Sequence, residues 1–372
     1  MIQQSDWYTI SDIDQLDSPA LVIFPERVKE NIRRLVSMTG DPGRLRPHIK
    51  THKTKEATEL MLAAGIAKFK CATIAEAEML GQCNAPDVLL AYQPSGPKLQ
   101  RFIAVIKKYP GTKFSCLVDN IDAAAAIAAL VAPSGKTMPV YLDLNVGQNR
   151  TGIAPGEAAM ELYEYCSRTK GLSAAGLHAY DGHIRNKDMP TRTQVCNEAF
   201  ARVEAMKKAL VEKGFAKPVI IAGGSPTFSI HCKRREVECS PGTFVFWDKG
   251  YTDLCPEQPF EPAAALVTRV ISLPDATKIC LDLGHKSVAA ENEIGNRVFF
   301  PAAPQLKPLS QSEEHLVLEA GANHAFNVGD VLYGIPVHIC PTVALYERGI
   351  AIENGKIAGE WKIIARDRKI TI

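Results

Sequence analysis

The spacing of apolar and polar positions changes character twice along this chain, near residues 25 and 256. Between those points, short apolar runs alternate with longer stretches whose apolar residues recur every three or four positions. Residues 25–38 carry Val28, Ile32 and Leu35 on one stripe and predict a helix; residues 55–62 predict another. Strand patterns fall at 44–50, 68–73, 87–92, 113–119, 139–145, 174–180 and 219–225, with 236–246 able to supply one more. Helical patterns at 74–82, 98–108, 121–131, 156–169 and 191–213 separate most of them. Short strands between longer helices predict a parallel sheet of βα units, and eight such units close a (β/α)8 TIM-type barrel. An open doubly wound sheet competes, but it would carry a GxGxxG turn after the first strand, and this sequence has none. The barrel is therefore expected over residues 25–255.

Past residue 256 the helical period disappears. β-rich runs at 264–271, 278–283, 315–319, 331–337 and 350–352 follow, and Asn354-Gly355 has the chemistry of a tight hairpin turn. A mainly antiparallel β domain is expected at 256–372.

Composition narrows the function class. With 372 residues the chain can bury two cores, and 46% hydrophobic against 23% charged residues is an ordinary globular balance. A net charge of +2, from 43 basic and 41 acidic residues, offers no electrostatic footprint for nucleic acid or for a membrane surface. No apolar run approaches the roughly 18 residues needed to span a bilayer. The stretch from Met1 to Trp7 lacks the basic start and apolar core of a signal peptide. Ten scattered cysteines without a CxxC read as reduced, mostly buried thiols, so a cytoplasmic location is expected.

Four segments carry candidate chemistry. In Arg46-Pro47-His48-Ile49-Lys50-Thr51-His52-Lys53, a lysine sits at the mouth of a strand among two histidines and a second lysine. Neighbouring positive charge and partial burial disfavour its ammonium form and expose an amine able to condense with a carbonyl. A basic strand end in solvent is the alternative. Tyr180 ends the strand pattern of 174–180, at the barrel end where reactive groups gather, and His183 follows three residues later. The loops Gly223-Gly224-Ser225-Pro226-Thr227 and Ser240-Pro241-Gly242-Thr243 follow late strands, where backbone amides suit a phosphate. Finally, His338-Ile339-Cys340 places an imidazole and a thiol two residues apart. On a strand these share one side and suit zinc, although a buried cysteine beside a structural histidine has the same pattern.

Together these segments resemble, over nearly the whole chain, the D-threonine aldolase and D-serine dehydratase family of alanine racemase-like (fold type III) pyridoxal-phosphate enzymes. RPHIKTHK is similar to the family's cofactor-lysine segment, which implies that Lys50 binds pyridoxal 5'-phosphate with His48 beside it. The run from Asp143 to Gly152 resembles the family's D-x-G-x-x-R-x-G, implying that Arg150 contacts the cofactor's phenolic oxygen. Tyr180 matches the aromatic or histidine that lies against the pyridine ring, and Gly224, Ser225, Thr227, Gly242 and Thr243 match the phosphate loops. The resemblance further implies a divalent metal, zinc or manganese, on His338 and Cys340. It also gives Ser312-Glu313-Glu314-His315 a supporting role for metal or fold. Residues 1–24 are implied to join 256–372, and a homodimer is expected.

The implied activity is a lyase acting on a small-molecule β-hydroxy-D-amino acid. A retro-aldol cleavage of the D-threonine aldolase type needs a base near the β-oxygen, and His183 is the candidate; the family's aldolases place their histidine where this chain has Asn186. Dehydration of D-serine or 3-hydroxy-D-aspartate, with Lys50 taking the α-proton, stays open. An amino-acid racemase would recruit a tyrosine such as Tyr251, Tyr333 or Tyr346. A non-catalytic cofactor carrier would lack the β domain.

Overall fold

The computed structural model describes residues 6–372; the first five residues of the N-terminal stretch discussed above lie outside them. The chain forms two compact units. One comprises residues up to Arg34 together with Thr51–Ala57 and Thr243–Arg366, the other Leu35–Lys50, Thr58–Gly242 and Asp367–Ile372. Among the described residues, no helix is long and apolar enough to cross a membrane.

The first strand of the chain, β1 (Ala20–Ile23), belongs to the first unit. The second unit is built on seven parallel strands. These are β2 (Lys68–Cys71), β3 (Asp87–Leu90), β4 (Lys113–Val118), β5 (Met138–Asp143), β6 (Leu172–Ala179), β7 (Val219–Ala222) and β8 (Val237–Cys239), paired in chain order. The predicted strand at 44–50 is not a regular strand, yet it holds the eighth position. Arg46 N–H donates to Cys239 (2.8 Å) and His48 N–H to the carbonyl of Pro241 (2.9 Å). On its other edge Lys70 N–H donates to Pro47 (2.8 Å) and Ile49 N–H to Lys70 (2.9 Å). Pro47 has no N–H to give, so a continuous ladder cannot form and the stave stays irregular. The sheet nevertheless closes through it, as the barrel reading expects.

Local sequence explains the intervening helices. Thr73, Asn120 and Asp188 accept from the backbone N–H of Glu76, Ala123 and Thr191, which starts the helices Ile74–Gln82, Ile121–Val131 and Met189–Glu212. The last begins earlier than its apolar period suggests, because Asp188 caps it and Pro190 sits in its first turn.

The barrel interior is layered. Leu89, Leu117, Tyr141 and Ile221 pack together, with Ala91 and Ala175 against them. The interior also holds a buried ion network. Arg46, 1% exposed, meets Asp87 at 2.6 Å and Glu238 at 2.8 Å, and Lys68 pairs with the same Glu238. A guanidinium with two carboxylates is desolvated at high cost, and only its complete set of partners offsets that cost.

The first unit is a nine-stranded sheet. Its remaining strands are β9 (Ala264–Asp275), β10 (Lys278–Leu281), β11 (Val298–Phe299), β12 (Lys307–Gln311), β13 (Leu316–Glu319), β14 (Val331–Pro336), β15 (Arg348–Glu353) and β16 (Lys356–Lys362). Within it β1 lies antiparallel to β9 and parallel to β15. Asn354 and Gly355, at φ of 52° and 72°, form the expected hairpin turn between β15 and β16. One expectation fails. Residues 338–343 do not continue β14 as a strand; Ile339–Val343 is a short helix that follows Pro336.

Candidate active site

Lys50 leaves the irregular stave at the end where β2–β8 also finish. Its N–H donates to Nδ1 of His48 (3.2 Å), and His48 itself is buried and bridged to Lys70 of β2. Lys70 is a second lysine of this site that the linear sequence does not reveal. It is 2% exposed, and its amine lies 3.3 Å from Nε2 of His178. His178 Nδ1 is 2.7 Å from Asp143 Oδ1, and Thr151 donates to the other oxygen of Asp143 at 2.8 Å. Burial and the charge of Lys50 bring Lys70 down to about 7. Burial also opposes the Asp143 carboxylate, but His178 and Thr151 hold it below the ordinary range; burial and Lys70 keep His178 from charging.

Two barrel loops meet around Tyr180. The Arg150 guanidinium lies 5.1 Å from the centre of the Tyr180 ring, and the Lys70 amine lies 5.5 Å from it. Arg150 is exposed, as is His183. The His183 ring lies against Gly147 of the Arg150 loop. A side chain there would meet Nε2 at 2.8 Å, and φ of +121° already excludes other residues without strain. Asn186 is also exposed.

After β7, Gly224 passes under the same tyrosine, where an added Cβ would sit 2.9 Å from the ring. Gly224 N–H donates to Thr227 Oγ1 (3.3 Å), and Gly242 N–H donates to Ser225 Oγ (3.4 Å), which ties the loops after β7 and β8 together. Beneath them Asp181 accepts from Thr227 at 2.7 Å and lies 2.8 Å from His231 Nε2. Asp181, Cys196 and His231 hold ligand-type atoms within 4.8 Å of one another, a spacing that suits an ion. Each atom is already engaged, however: the Cys196 thiol with Asp181 and His231, and His231 Nδ1 with the Arg234 guanidinium at 3.4 Å. A cation beside that arginine would be repelled, so the group is a hydrogen-bonded brace for the loop.

In the other unit His338 and Cys340 come together, though on a helix start rather than a strand. His338 is the N-cap residue of Ile339–Val343 and hydrogen bonds Cys340. Nine of the ten cysteines are buried and Cys340 is the exception, which argues against a purely packing role. Its Sγ lies 3.1 Å from Thr51 Oγ1 and 3.6 Å from Thr243 Oγ1; Thr51 is the residue after Lys50 and Thr243 the one after Gly242. His338 Nδ1 is 2.5 Å from Glu291, and Asp248 accepts from Ile339 N–H at 3.1 Å. Burial opposes charge on His338, but Cys340, Glu291 and Asp248 outweigh it and hold the imidazole at about 9. Burial and the nearby thiol lift Asp248 to about 7. An imidazole and a thiol backed by two carboxyl groups suit a borderline divalent ion.

Tyr333 OH accepts from Ile10 N–H and Tyr346 OH donates to the Ser287 carbonyl, while Tyr251 packs against Trp247. Residues Ser312 to His315 form the turn between β12 and β13, closed by Ser312 N–H to His315 at 2.9 Å and seated on Gly284.

Comparison with known proteins agrees with this architecture. The family model described as "Alanine racemase, N-terminal domain" matches residues 23–249, and "Putative serine dehydratase domain" matches 263–352. This chain belongs to the alanine racemase-like family. Its sequence is 27% identical to D-threonine aldolase of an Arthrobacter species, over 95% of this chain and 93% of that one. The crystal structure of D-threonine aldolase from Filomicrobium marinum matches this alanine racemase-like chain with a TM-score of 0.88 at 24% identity, covering 95% and 96% of the two chains. D-threo-3-hydroxyaspartate dehydratase from a Delftia species matches with a TM-score of 0.81 at 24% identity, covering 93% and 97%. Solved variants of that dehydratase replace a histidine, or the cysteine two positions after it, by alanine; the cysteine variant is in a metal-free form.

Proposed function

We propose that this chain is a pyridoxal-phosphate- and metal-dependent lyase that cleaves β-hydroxy-D-amino acids to glycine and an aldehyde, as D-threonine aldolases do. The observation that carries this reading is the position of Lys50 at the barrel end that also bears Tyr180 and the glycine loops. Lys50 N–H donates to His48, His48 bridges to Lys70 of β2, and the Lys70 amine lies 5.5 Å from the Tyr180 ring against which Gly224 packs. The loops suit the cofactor's phosphate: Gly224, Ser225, Thr227 and Gly242 bring hydrogen-bonding groups together, and Gly224 lets the backbone pass close to the Tyr180 ring. Held there, pyridoxal phosphate supplies an electron sink that stabilises negative charge at the substrate α-carbon.

The chain's own residues then divide the work. Lys50 anchors the cofactor. Arg150 offers a fixed positive charge to a phenolic oxygen, and Tyr180 orients a ring. Backbone groups of Gly224 and Gly242, with Ser225, Thr227 and Thr243, bind phosphate. His338 and Cys340 would hold zinc or manganese, an ion that would supply Lewis-acid polarisation of a β-hydroxyl. His183 accepts the proton of that hydroxyl.

Dehydration is the second reading. It is favoured by the thiol of Cys340, a soft ligand, and by Asn186 standing where the resembled aldolases carry their base. The aldolase reading is supported by the Arthrobacter relative, whose similarity extends over 95% of this chain.

The test is incubation with D-threonine and D-serine, with zinc and then manganese, following products by mass spectrometry. Glycine and acetaldehyde are expected. Formation of 2-oxobutanoate or pyruvate with ammonia instead would replace this reading by the dehydratase. Loss of the visible cofactor band is expected in Lys50→Ala.

A further inference from the structure

Outside the candidate active site, the second unit holds a cavity of about 230 Å³ at the C-terminal ends of β2 and β3. It is lined by the turn 72–74 after β2, by Tyr92 after β3, and by three cations. Two of them, Lys98 and Arg101, come from the helix Pro97–Lys108, where a spacing of three puts them on one face. The third, Arg368, belongs to the C-terminal tail. No carboxylate lines the cavity, and among the described residues none of the three cations forms an ion pair. Glu76, the acid nearest to the lining turn in sequence, is fully buried and accepts from Ala72 N–H at 2.5 Å instead. The Lys98 amine lies 5.3 Å from the centre of the Tyr92 ring, and burial pushes the Tyr92 phenol up to about 12, so its hydroxyl stays a donor.

The tail is anchored so that Arg368 stays there. Its φ of +57° lies in the left-handed region, which a residue with a Cβ enters only where its surroundings hold it. The Arg368 carbonyl accepts from Arg101 Nη2 at 2.6 Å. Three residues on, Thr371 donates to buried Glu78 through its N–H (3.0 Å) and its hydroxyl (2.6 Å). These anchors gather three like charges around one small volume, a repulsion that a bound anion relieves.

We propose that this cavity binds a phosphoryl group, as free phosphate or as the end of a small phosphate monoester, through Lys98, Arg101 and Arg368. Charge density favours a phosphoryl group over a carboxylate. Three cations around a small volume match a compact dianion, and the fork of an arginine fits its oxygens. The site is distinct from the loops after β7 and β8, with which it shares no lining residue. Its occupant ties the tail to the helix Pro97–Lys108, so binding stabilises this unit. The inference does not rest on the lyase reading.

The test is calorimetric titration of the full-length protein, saturated with pyridoxal phosphate, in chloride buffer of fixed ionic strength. Inorganic phosphate, glycerol phosphate and succinate are the probes. Saturable binding of one phosphate per chain is expected, with a Kd of about 1 mM or tighter. Arg368→Gln keeps the carbonyl that Arg101 holds and removes only the charge; it should weaken phosphate binding about tenfold, as should Lys98→Gln. Lys107→Gln, which removes a lysine from the last turn of the same helix, should leave the affinity as it is. Tighter binding of glycerol phosphate assigns the monoester as ligand, and equal binding assigns the free ion; both support the site. Absence of saturable phosphate binding, an unchanged affinity in Arg368→Gln, or succinate binding as tightly as phosphate overturns the proposal.

Discussion

Gly224 and Lys70 show how much single residues carry here. An alanine at 224 would place its Cβ 2.9 Å from the Tyr180 ring and must displace it. Gly224→Ala is expected to weaken cofactor binding about tenfold, roughly 1.4 kcal/mol, with little loss of global stability. Absorbance titration with pyridoxal phosphate measures the first and thermal unfolding the second. Lys70 predicts a pH dependence. Its folded value of about 7 lies below the ordinary 10.5, so between those limits the unfolded chain binds more protons and this group makes stability rise with pH. Below the folded value its full cost is felt. In Lys70→Met the Tm should rise most at pH 7 and lower, and the slope of Tm between pH 7 and 10 should flatten. A slope equal to that of the parent protein would contradict the buried-amine assignment. The Lys50 motif could be singled out in the sequence because its residues are contiguous, and His48 and Lys50 touch locally. Lys70 could not: its partner His178 lies 108 residues away, and nothing local marks a strand lysine as turned inward.

At the scale of elements, the loops do the positioning and the strands beneath hold them. The brace of Asp181 with Thr227 and His231 fixes the loop after β7. Asp181→Ala leaves a buried imidazole and hydroxyl without their acceptor and is expected to cost about 3–5 kcal/mol in denaturant unfolding. Cofactor affinity should fall with it, because the Gly224 loop loses its support. Asp181→Asn, which keeps the shape, should lose less on both counts. Most elements could be read from periodicity, since 74–82 and 121–131 carry their own caps and apolar stripes. The segment at 338–343 misled for a physical reason. Ile339, Thr342 and Val343 are β-branched and favour a strand, but Pro341 cannot donate to a ladder and is tolerated in the first turn of a helix. The histidine and thiol still meet, at the start of that turn.

For the whole molecule, the reading of a metal-assisted lyase makes a further prediction. Treatment with a chelator should abolish turnover of D-threonine while leaving the visible cofactor band in place, and zinc or manganese should restore activity. Cys340→Ala should bind the cofactor as the parent protein does but fail to recover with metal. Full activity of Cys340→Ala after chelation would remove the metal from the mechanism.

The sequence by itself determined the alternation that makes a parallel barrel, the β-rich second half, and the motifs around Lys50, Arg150, Tyr180 and the two glycine loops. These are local patterns, set by side-chain periodicity and by backbone freedom at a few positions. Tertiary structure alone decided that 44–50 is an irregular stave closed by its neighbours, and that His338 and Cys340 meet on a helix. It alone decided that Lys70 faces His178 inside the barrel. Each of these depends on contacts between segments far apart in the chain, and on burial, which fixes the charge a lysine can hold.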